Sequence, residues 1–215
     1  MNELWVYFVW IIGSYLLGSV MTGIIVTKAA GVDIRTVGTG NPGTANIWRE
    51  VGAKYALTVF VLDILKGVAV TLPLFILDVP KWVVLISVAV FLAGQFWPIF
   101  HRFKGGTGMA AMFGTTAGLL PWGALIGLPV GVAIIARTKN VGWAGGMFLG
   151  IGLISGSVLH GIYFDTYRGF WDNDYISMIT LALGMSAVFL KNIFQYRDMP
   201  PPESRPKGPR ANKGN

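Results

Sequence analysis

Long apolar stretches alternate with short polar segments along this chain, and the pattern predicts membrane-spanning helices. A helix needs about 20 apolar residues to cross roughly 30 Å of hydrocarbon. The stretches near or above that length, with a last, shorter one, are residues 4–27, 55–77, 82–100, 105–136, 140–164 and 175–190. The first stretch is too long for a secretory signal peptide, and no basic segment precedes it. The pattern therefore predicts an all-α integral membrane protein.

The stretch at residues 105–136 is too long for a single crossing, because it holds 32 uncharged residues. Gly118, Pro121 and Gly123 lie in its middle, where glycine and proline favour a turn. We therefore expect two short crossings that turn near Pro121. This division gives about seven transmembrane helices in all.

The distribution of charge predicts the orientation of these helices. Segment 165–174 carries three aspartates against one arginine, so we expect it outside. A single crossing by residues 105–136 would place Arg137 and Lys139 outside, whereas two crossings keep every basic loop inside. The N-terminus is then outside and the C-terminus cytoplasmic. The basic segments expected inside are residues 28–54, 101–104 and 199–215.

Composition supports the membrane assignment and excludes other classes. Hydrophobic residues make up 53% of the chain, charged residues only 13%, and the mean hydropathy is +0.60. A soluble domain usually carries about 25% charged residues. We attribute the net charge of +7 to the membrane face and expect no nucleic-acid partner. Residues 1–198 are expected to form one membrane domain, and residues 199–215 a disordered basic tail.

The first candidate site is a glycine-rich polar segment at residues 37–49. Glycine allows positive φ, which turns successive backbone N–H groups toward one anion. Asn and Thr add neutral donors, and an arginine suits a phosphate group. The alternative is an ordinary interhelical turn. The candidate phosphate-binding residues are Gly38, Thr39, Gly40, Asn41, Gly43, Asn46 and Arg49.

The second candidate site is residues 103–110, which are also glycine-rich and are expected to open a helix. Backbone N–H groups at a helix N-terminus bind anions. The terminal Gly-Lys-Ser/Thr of a Walker A loop is missing, and a packing turn is the alternative. The candidates are Lys104, Gly105, Gly106, Thr107 and Gly108.

Further polar residues lie inside or at the ends of predicted spans. Asp63 and Lys66 are three residues apart, so they share a helix face, either as a functional group or as a structural ion pair. Asn192 lies between Lys191 and Arg197 at the inner end of the last helix, where snorkelling cations are the alternative explanation. The histidines are isolated and cysteine is absent, so neither a metal site nor a Ser–His–Asp triad is expected.

At these loops the sequence resembles the PlsY family of bacterial membrane acyltransferases. The resemblance runs from about residue 12 to residue 110 and is weaker to about residue 197. It rests on three groups of residues: Ser14-Tyr15-Leu16-Leu17-Gly18-Ser19; Val37-Gly38-Thr39-Gly40-Asn41-Pro42-Gly43 with Asn46, Arg49, Gly52 and Lys54; and Leu62-Asp63-Ile64-Leu65-Lys66-Gly67, Gly94, Pro98 and Phe103-Lys104-Gly105-Gly106 with Gly108.

The resemblance implies transfer of a fatty acyl group from acyl phosphate to glycerol 3-phosphate, which gives lysophosphatidic acid. It implies seven spans, a bacterial inner membrane and no cofactor. Thr39, Arg49 and Lys104 would be the catalytic residues. The other glycine-segment candidates and Asn192 would bind phosphate, and Asp63 with Lys66 would be a supporting pair. The sequence leaves acyl-chain preference and oligomeric state open.

The chain departs from the family pattern at several polar positions. Thr39 replaces a serine, the order Thr44-Ala45-Asn46 replaces Ala-Thr-Asn, Gln95 replaces a histidine, and Thr107 replaces a lysine. Val188, Phe189 and Leu190 stand where the family has basic residues and a histidine. These changes favour a second hypothesis, a non-catalytic relative that binds acyl phosphate or anionic lipid. A small transporter is a third option that no residue demands.

Overall fold

The computed structural model describes residues 3–77, 79–138, 148, 150–152, 154–155, 174–197, 199 and 201–209. Within these ranges the chain is helical and contains no strand. The helices are α1 (Glu3–Ser19), α2 (Thr22–Ala29), α3 (Thr44–Glu50), α4 (Ala53–Ile76), α5 (Lys81–Phe96), α6 (Met109–Leu119), α7 (Pro121–Thr138) and α8 (Asp174–Arg197). Short 3₁₀ turns occur at Ile34–Thr36, Ile99–His101 and Pro202–Ser204.

Three described stretches are long and apolar enough to cross a membrane: Leu4–Ala29, Ala53–Leu74 and Lys81–His101. Shorter apolar helices occur at Met109–Leu119 and Ile179–Gln195. Large apolar side chains remain exposed on the outer faces of the bundle, for example Trp5 at 72% and Ile76 at 63%. Lipid, rather than water, suits such a surface. These stretches match the predicted spans, whereas most of the span predicted at residues 140–164 lies outside the described residues.

The long apolar run divides immediately before Pro121, where the sequence predicted a turn. Helix α6 ends at Leu119, and α7 begins at Pro121. Proline fits the first position of a helix, because its missing N–H has no partner there in any case. At about 1.5 Å per residue, α6 is roughly 16 Å long, about half the hydrocarbon thickness.

The first predicted span is two helices rather than one, which corrects the sequence prediction. Helix α1 ends at Ser19 and α2 begins at Thr22. The Ile24 amide donates to the Met21 carbonyl instead of the Val20 carbonyl, which accepts from the Thr22 amide at 3.1 Å. The hydrogen-bond pattern of a continuous α-helix is therefore interrupted at Val20 and Met21.

Small residues bring the helices into close contact. A side chain at Gly18 would strike the Phe91 carbonyl of α5, and one at Gly94 would strike the backbone of α1. Gly67 of α4 and Gly114 of α6 face each other's helix backbones in the same way. Such contacts are typical of helix packing in lipid, where small residues allow backbones to approach. They hold α1 against α5 and α4 against α6, and the second glycine-rich segment joins α5 to α6.

Candidate functional site

The first glycine loop, residues 37–43, joins the Ile34–Thr36 turn to α3. Gly38 has φ +57° and Gly40 has φ +68°, a left-handed conformation that favours glycine. Asn46, buried in α3, accepts a hydrogen bond from the Thr39 amide at 2.9 Å and donates one to the Val37 carbonyl at 3.1 Å. The Asn46 side-chain amide is thus bonded at both ends to the loop backbone and fixes the loop's shape.

Asn41 and Gly43 form the far side of the same loop. The side-chain oxygen of Asn41, Oδ1, accepts a hydrogen bond from the Gly43 amide at 3.0 Å, as in an Asx turn. Helix α2 packs against the loop at Gly23. A side chain at this position would clash with the Pro42 carbonyl, so glycine allows the close contact. Arg49 lies exposed in the last turn of α3. The loop backbone is therefore held by hydrogen bonds, and an exposed cation lies at the end of the helix that follows it.

The second glycine loop, residues 103–108, follows a tight turn at the end of α5. Arg102 has φ +54° and Phe103 has φ +59°, an uncommon conformation for residues with side chains. The Gly105 and Gly106 amides donate to the Phe96 and Gln95 carbonyls at 3.2 and 3.1 Å. The sequence predicted that these two amides bind an anion. In the structure they instead anchor the loop to the end of α5.

The remaining part of the second loop leads into α6. Thr107 is buried, Lys104 is exposed, and Gly108 caps α6 with φ +71°. Gln95 is also buried, and its Nε2 has no hydrogen-bond partner among the described residues. Gln95 is one of the departures from the family pattern, and its Cβ lies 3.4 Å from the place that a side-chain carbon at Gly108 would take.

The two glycine loops meet. A side-chain carbon at Gly106 would lie 3.2 Å from Asn41 Oδ1 and 3.8 Å from Pro42 Cγ. The structure therefore brings the two sequence-predicted segments together, although about 60 residues separate them. Arg49 and Lys104 each lie exposed on one of these segments.

Charge at the entrance to the first loop is partly compensated. Asp33 accepts from the Arg35 backbone and from its guanidinium Nε and Nη2, at 3.1, 2.9 and 2.7 Å. The hydrogen bonds and positive charge of Arg35 hold the pKa of Asp33 at about 2, so the pair stays ionised at neutral pH.

Asp63 and Lys66 form a buried ion pair at 2.8 Å in α4. The Lys66 ammonium also donates to the Val20 carbonyl at 2.7 Å, and the Thr22 hydroxyl donates to Asp63 Oδ1 at 2.5 Å. All three contacts converge on the break between α1 and α2. The pair therefore holds the break, and through α2 it supports the first loop. Thr22 carried no sequence signal for this role.

Asn192 lies half-buried in α8, near the end of α5. Its neighbour Lys191 places an ammonium 5.4 Å from the centre of the Trp97 ring, a cation–π arrangement. Trp97 directly follows Phe96, whose carbonyl anchors Gly105. Helix α8 therefore reaches the same end of the bundle as the glycine loops. No cluster of three metal-ligating side chains occurs in the described part of the chain.

Comparison with known proteins identifies the family. The model of the family described as glycerol-3-phosphate acyltransferase matches residues 8–198. A glycerol-3-phosphate acyltransferase of Thermoanaerobacter sp. (strain X514) is 35% identical over 162 residues, which cover 74% of each chain. Another, of Geotalea daltonii, is 40% identical over 137 residues, which cover 63% of this chain and 70% of that one.

Solved structures give the same result. The crystal structure of the integral membrane glycerol 3-phosphate acyltransferase PlsY (YgiH) in its glycerol 3-phosphate form has a TM-score of 0.70 and 29% identity, and covers 89% of this chain and 92% of that one. Its lysophosphatidic acid form has a TM-score of 0.69 and 26% identity, and covers 89% and 91%. With its apolar helices and paired glycine loops, this chain belongs to the PlsY family of glycerol-3-phosphate acyltransferases.

Proposed function

We propose that this protein transfers a fatty acyl group from acyl phosphate to the 1-hydroxyl of glycerol 3-phosphate in a bacterial inner membrane. The observation that carries the proposal is the meeting of the two glycine loops, each with an exposed cation, at one end of an apolar bundle. Both substrates carry phosphate, and the acyl chain requires an apolar environment. The glycine loops and their cations suit the phosphates, and the apolar faces of the helices suit the acyl chain.

The reaction needs little covalent assistance from the protein. The glycerol hydroxyl oxygen attacks the acyl carbon, and the bond from that carbon to the phosphate oxygen breaks. The leaving phosphate takes the electron pair and accepts the hydroxyl proton, so lysophosphatidic acid and inorganic phosphate form. Orientation of the reactants and neutralisation of phosphate charge supply the catalysis.

The described geometry supports a division of roles among the candidate residues. Arg49 and Thr39 would hold one phosphate at the first loop, on the backbone shaped by Gly38, Gly40, Asn41, Gly43 and Asn46. Lys104 would hold the other phosphate at the second loop, with Thr107 and Gly108. We assign Gly105 and Gly106 to anchoring the loop, since their amides bond to α5. Asn192 would approach the substrates from α8.

The topology we propose has seven spans, with the N-terminus outside and the C-terminus cytoplasmic. The break between α6 and α7 supports it, because the long apolar run consists of two helices instead of one. Both glycine loops then face the cytoplasm. Nothing in the comparisons favours the non-catalytic alternative.

The proposal is tested by phosphate release from palmitoyl phosphate, measured with purified protein in the presence and absence of glycerol 3-phosphate. We expect release to depend on glycerol 3-phosphate and to fall at least about a hundredfold in Arg49→Ala, since a lost charged contact weakens binding and neutralisation together. Arg137→Ala, at an exposed cation in the last turn of α7, is the matched control and should retain full activity. Equal loss in both variants, or none in Arg49→Ala, would refute this site.

A further inference from the structure

Residues 206–208 contact the first glycine loop and the end of α3, and they lie within the segment that the sequence predicts to be a disordered tail. The Gly38 amide donates to the Pro206 carbonyl at 2.7 Å. The Gly208 amide donates to Glu50 Oε2 at 2.7 Å, and Gly208 is buried against the end of α3. Two hydrogen bonds, one to the loop backbone and one to the Glu50 side chain, therefore fasten residues 206–208, which we call the tail strap, to the loop and to the end of α3.

Each contact of the tail strap falls beside a residue assigned to phosphate. Gly38 precedes Thr39, and Glu50 follows Arg49. Lys207 lies between the two fastened residues, and its own side chain is exposed. Consecutive Cα atoms are 3.8 Å apart, so the backbone of Lys207 is held within one residue of both contacts. Its flexible four-carbon stem then carries the ammonium near the mouth of the loop.

The charge of the tail suits an anionic ligand. Residues 199–215 carry four cations, Arg205, Lys207, Arg210 and Lys213, against the single carboxylate of Glu203. The second glycine loop contributes only one lysine, Lys104, since Thr107 is neutral. Of the tail cations, Lys207 is the one between the two fastened residues. A cation supplied from the tail would add to the positive charge of Arg49 and Lys104.

We infer that the tail strap is part of the substrate site and that Lys207 supplies a further cation for the phosphate of glycerol 3-phosphate. This inference rests on the proposed function. The alternative is that the tail inhibits. The Pro206 carbonyl would then occupy the Gly38 amide, a donor that phosphate would otherwise use. The two effects predict opposite results on removal of the tail.

The strap contact is tested without reference to activity. The chain contains no cysteine, so Glu50→Cys with Gly208→Cys introduces the only two thiols. A side-chain carbon at Gly208 would lie 2.7 Å from that of Glu50, and a retreat of about 1 Å by the tail gives the roughly 3.8 Å separation of a disulfide. We expect rapid intramolecular crosslinking by a mild oxidant, read by mass spectrometry of the peptides. Only intermolecular products from the double variant would overturn the strap.

The role of Lys207 is tested by comparing Lys207→Gln with Lys213→Gln, which removes the same charge from the same tail. We expect Lys207→Gln to raise KM for glycerol 3-phosphate about tenfold with kcat changed less than about twofold, the effect of one lost charged contact. Lys213→Gln should leave both constants unchanged. Truncation after Met199 should raise KM at least as much as Lys207→Gln.

Two results would contradict the inference in distinguishable ways. Equal effects of the two glutamine variants would show that the tail acts only through its net charge. A higher kcat/KM after truncation would show that the tail inhibits the enzyme. A wild-type protein without turnover would refute the proposed function instead. In that case the inference is tested by calorimetric binding of glycerol 3-phosphate. We expect Lys207→Gln to bind it about tenfold more weakly than wild type and Lys213→Gln to bind it as wild type does. Equal affinities of the two variants would refute the inference.

Discussion

Single residues in the first loop divide into those that meet solution and those that hold the backbone. Sequence reasoning placed Asn46 among the phosphate-binding residues, because asparagine is a good neutral donor. The structure shows both ends of its side-chain amide bonded to the loop backbone. A residue type and its spacing reveal a polar site, but they do not reveal whether the polar group faces the ligand or the chain.

Replacement of Asn46 by aspartate is expected to disrupt the loop while it preserves side-chain size. The carboxylate still accepts from the Thr39 amide but has no hydrogen to donate to the Val37 carbonyl. The Val37 carbonyl keeps only its bond from the Gly40 amide at 3.0 Å, and a carboxylate buried with one hydrogen bond fewer costs about 1–3 kcal/mol. Thermal unfolding in detergent measures the loss. Unchanged stability together with a raised KM would show that Asn46 contacts substrate instead.

Thr107→Lys is expected to strengthen phosphate binding, because Thr107 follows Gly106 at the junction of the two loops. The new side chain must extend to solution from a buried position, as lysine stems can. One added charged contact lowers KM for a phosphorylated substrate by about tenfold. Thr58→Lys adds the same charge at an exposed position in the second turn of α4, outside both glycine loops, and should change KM little. Equal effects would exclude a specific contact.

At the scale of helices, the pattern of apolar residues predicted most elements. The division near Pro121 followed from the length of the run and the turn residues inside it. The break at Val20–Met21 was missed, because no glycine or proline occupies either position. Its cause is tertiary: Lys66 and Thr22 bring Asp63 and the Val20 carbonyl into one network. Such a contact across 40 residues leaves no local signal.

Lys66→Met is expected to destabilise the protein strongly, because it leaves Asp63 buried and charged without its partner. Removal of one member of a buried ion pair costs about 3–5 kcal/mol. The double variant Asp63→Asn with Lys66→Met should recover part of this loss, since no unpaired charge remains. Thermal unfolding of the two single variants and the double variant gives the coupling energy. Additive losses would mean that the pair does not act as a unit.

For the whole molecule, the resemblance and the charge distribution predicted a membrane acyltransferase, and the family assignment is confirmed. Composition alone predicted the environment, because a chain with 13% charged residues cannot cover itself in water. The return of residues 206–208 to the first loop was not predicted, since proline-rich polar sequence is typical of disorder. The donors of the two hydrogen bonds that hold these residues are backbone N–H groups. Nearly every residue has one, so composition gives no sign of such contacts.

The proposed orientation is tested with single cysteines in this cysteine-free chain. Ser204→Cys in the tail should react with a membrane-impermeant maleimide only after inverted vesicles are used or intact cells are opened. A cysteine at Thr166, in the acidic segment 165–174, should react from outside in intact cells. Labelling of both positions from the same side would contradict seven spans.

The most direct test of the central claim is the identity of the product. Purified wild-type protein would be supplied with palmitoyl phosphate carrying a ¹³C-labelled acyl chain and with unlabelled glycerol 3-phosphate, and the lipids analysed by mass spectrometry. We expect labelled 1-acyl lysophosphatidic acid, formed only when both substrates are present and lost in Arg49→Ala. Free labelled palmitate, or unchanged palmitoyl phosphate, would contradict acyl transfer at the paired glycine loops.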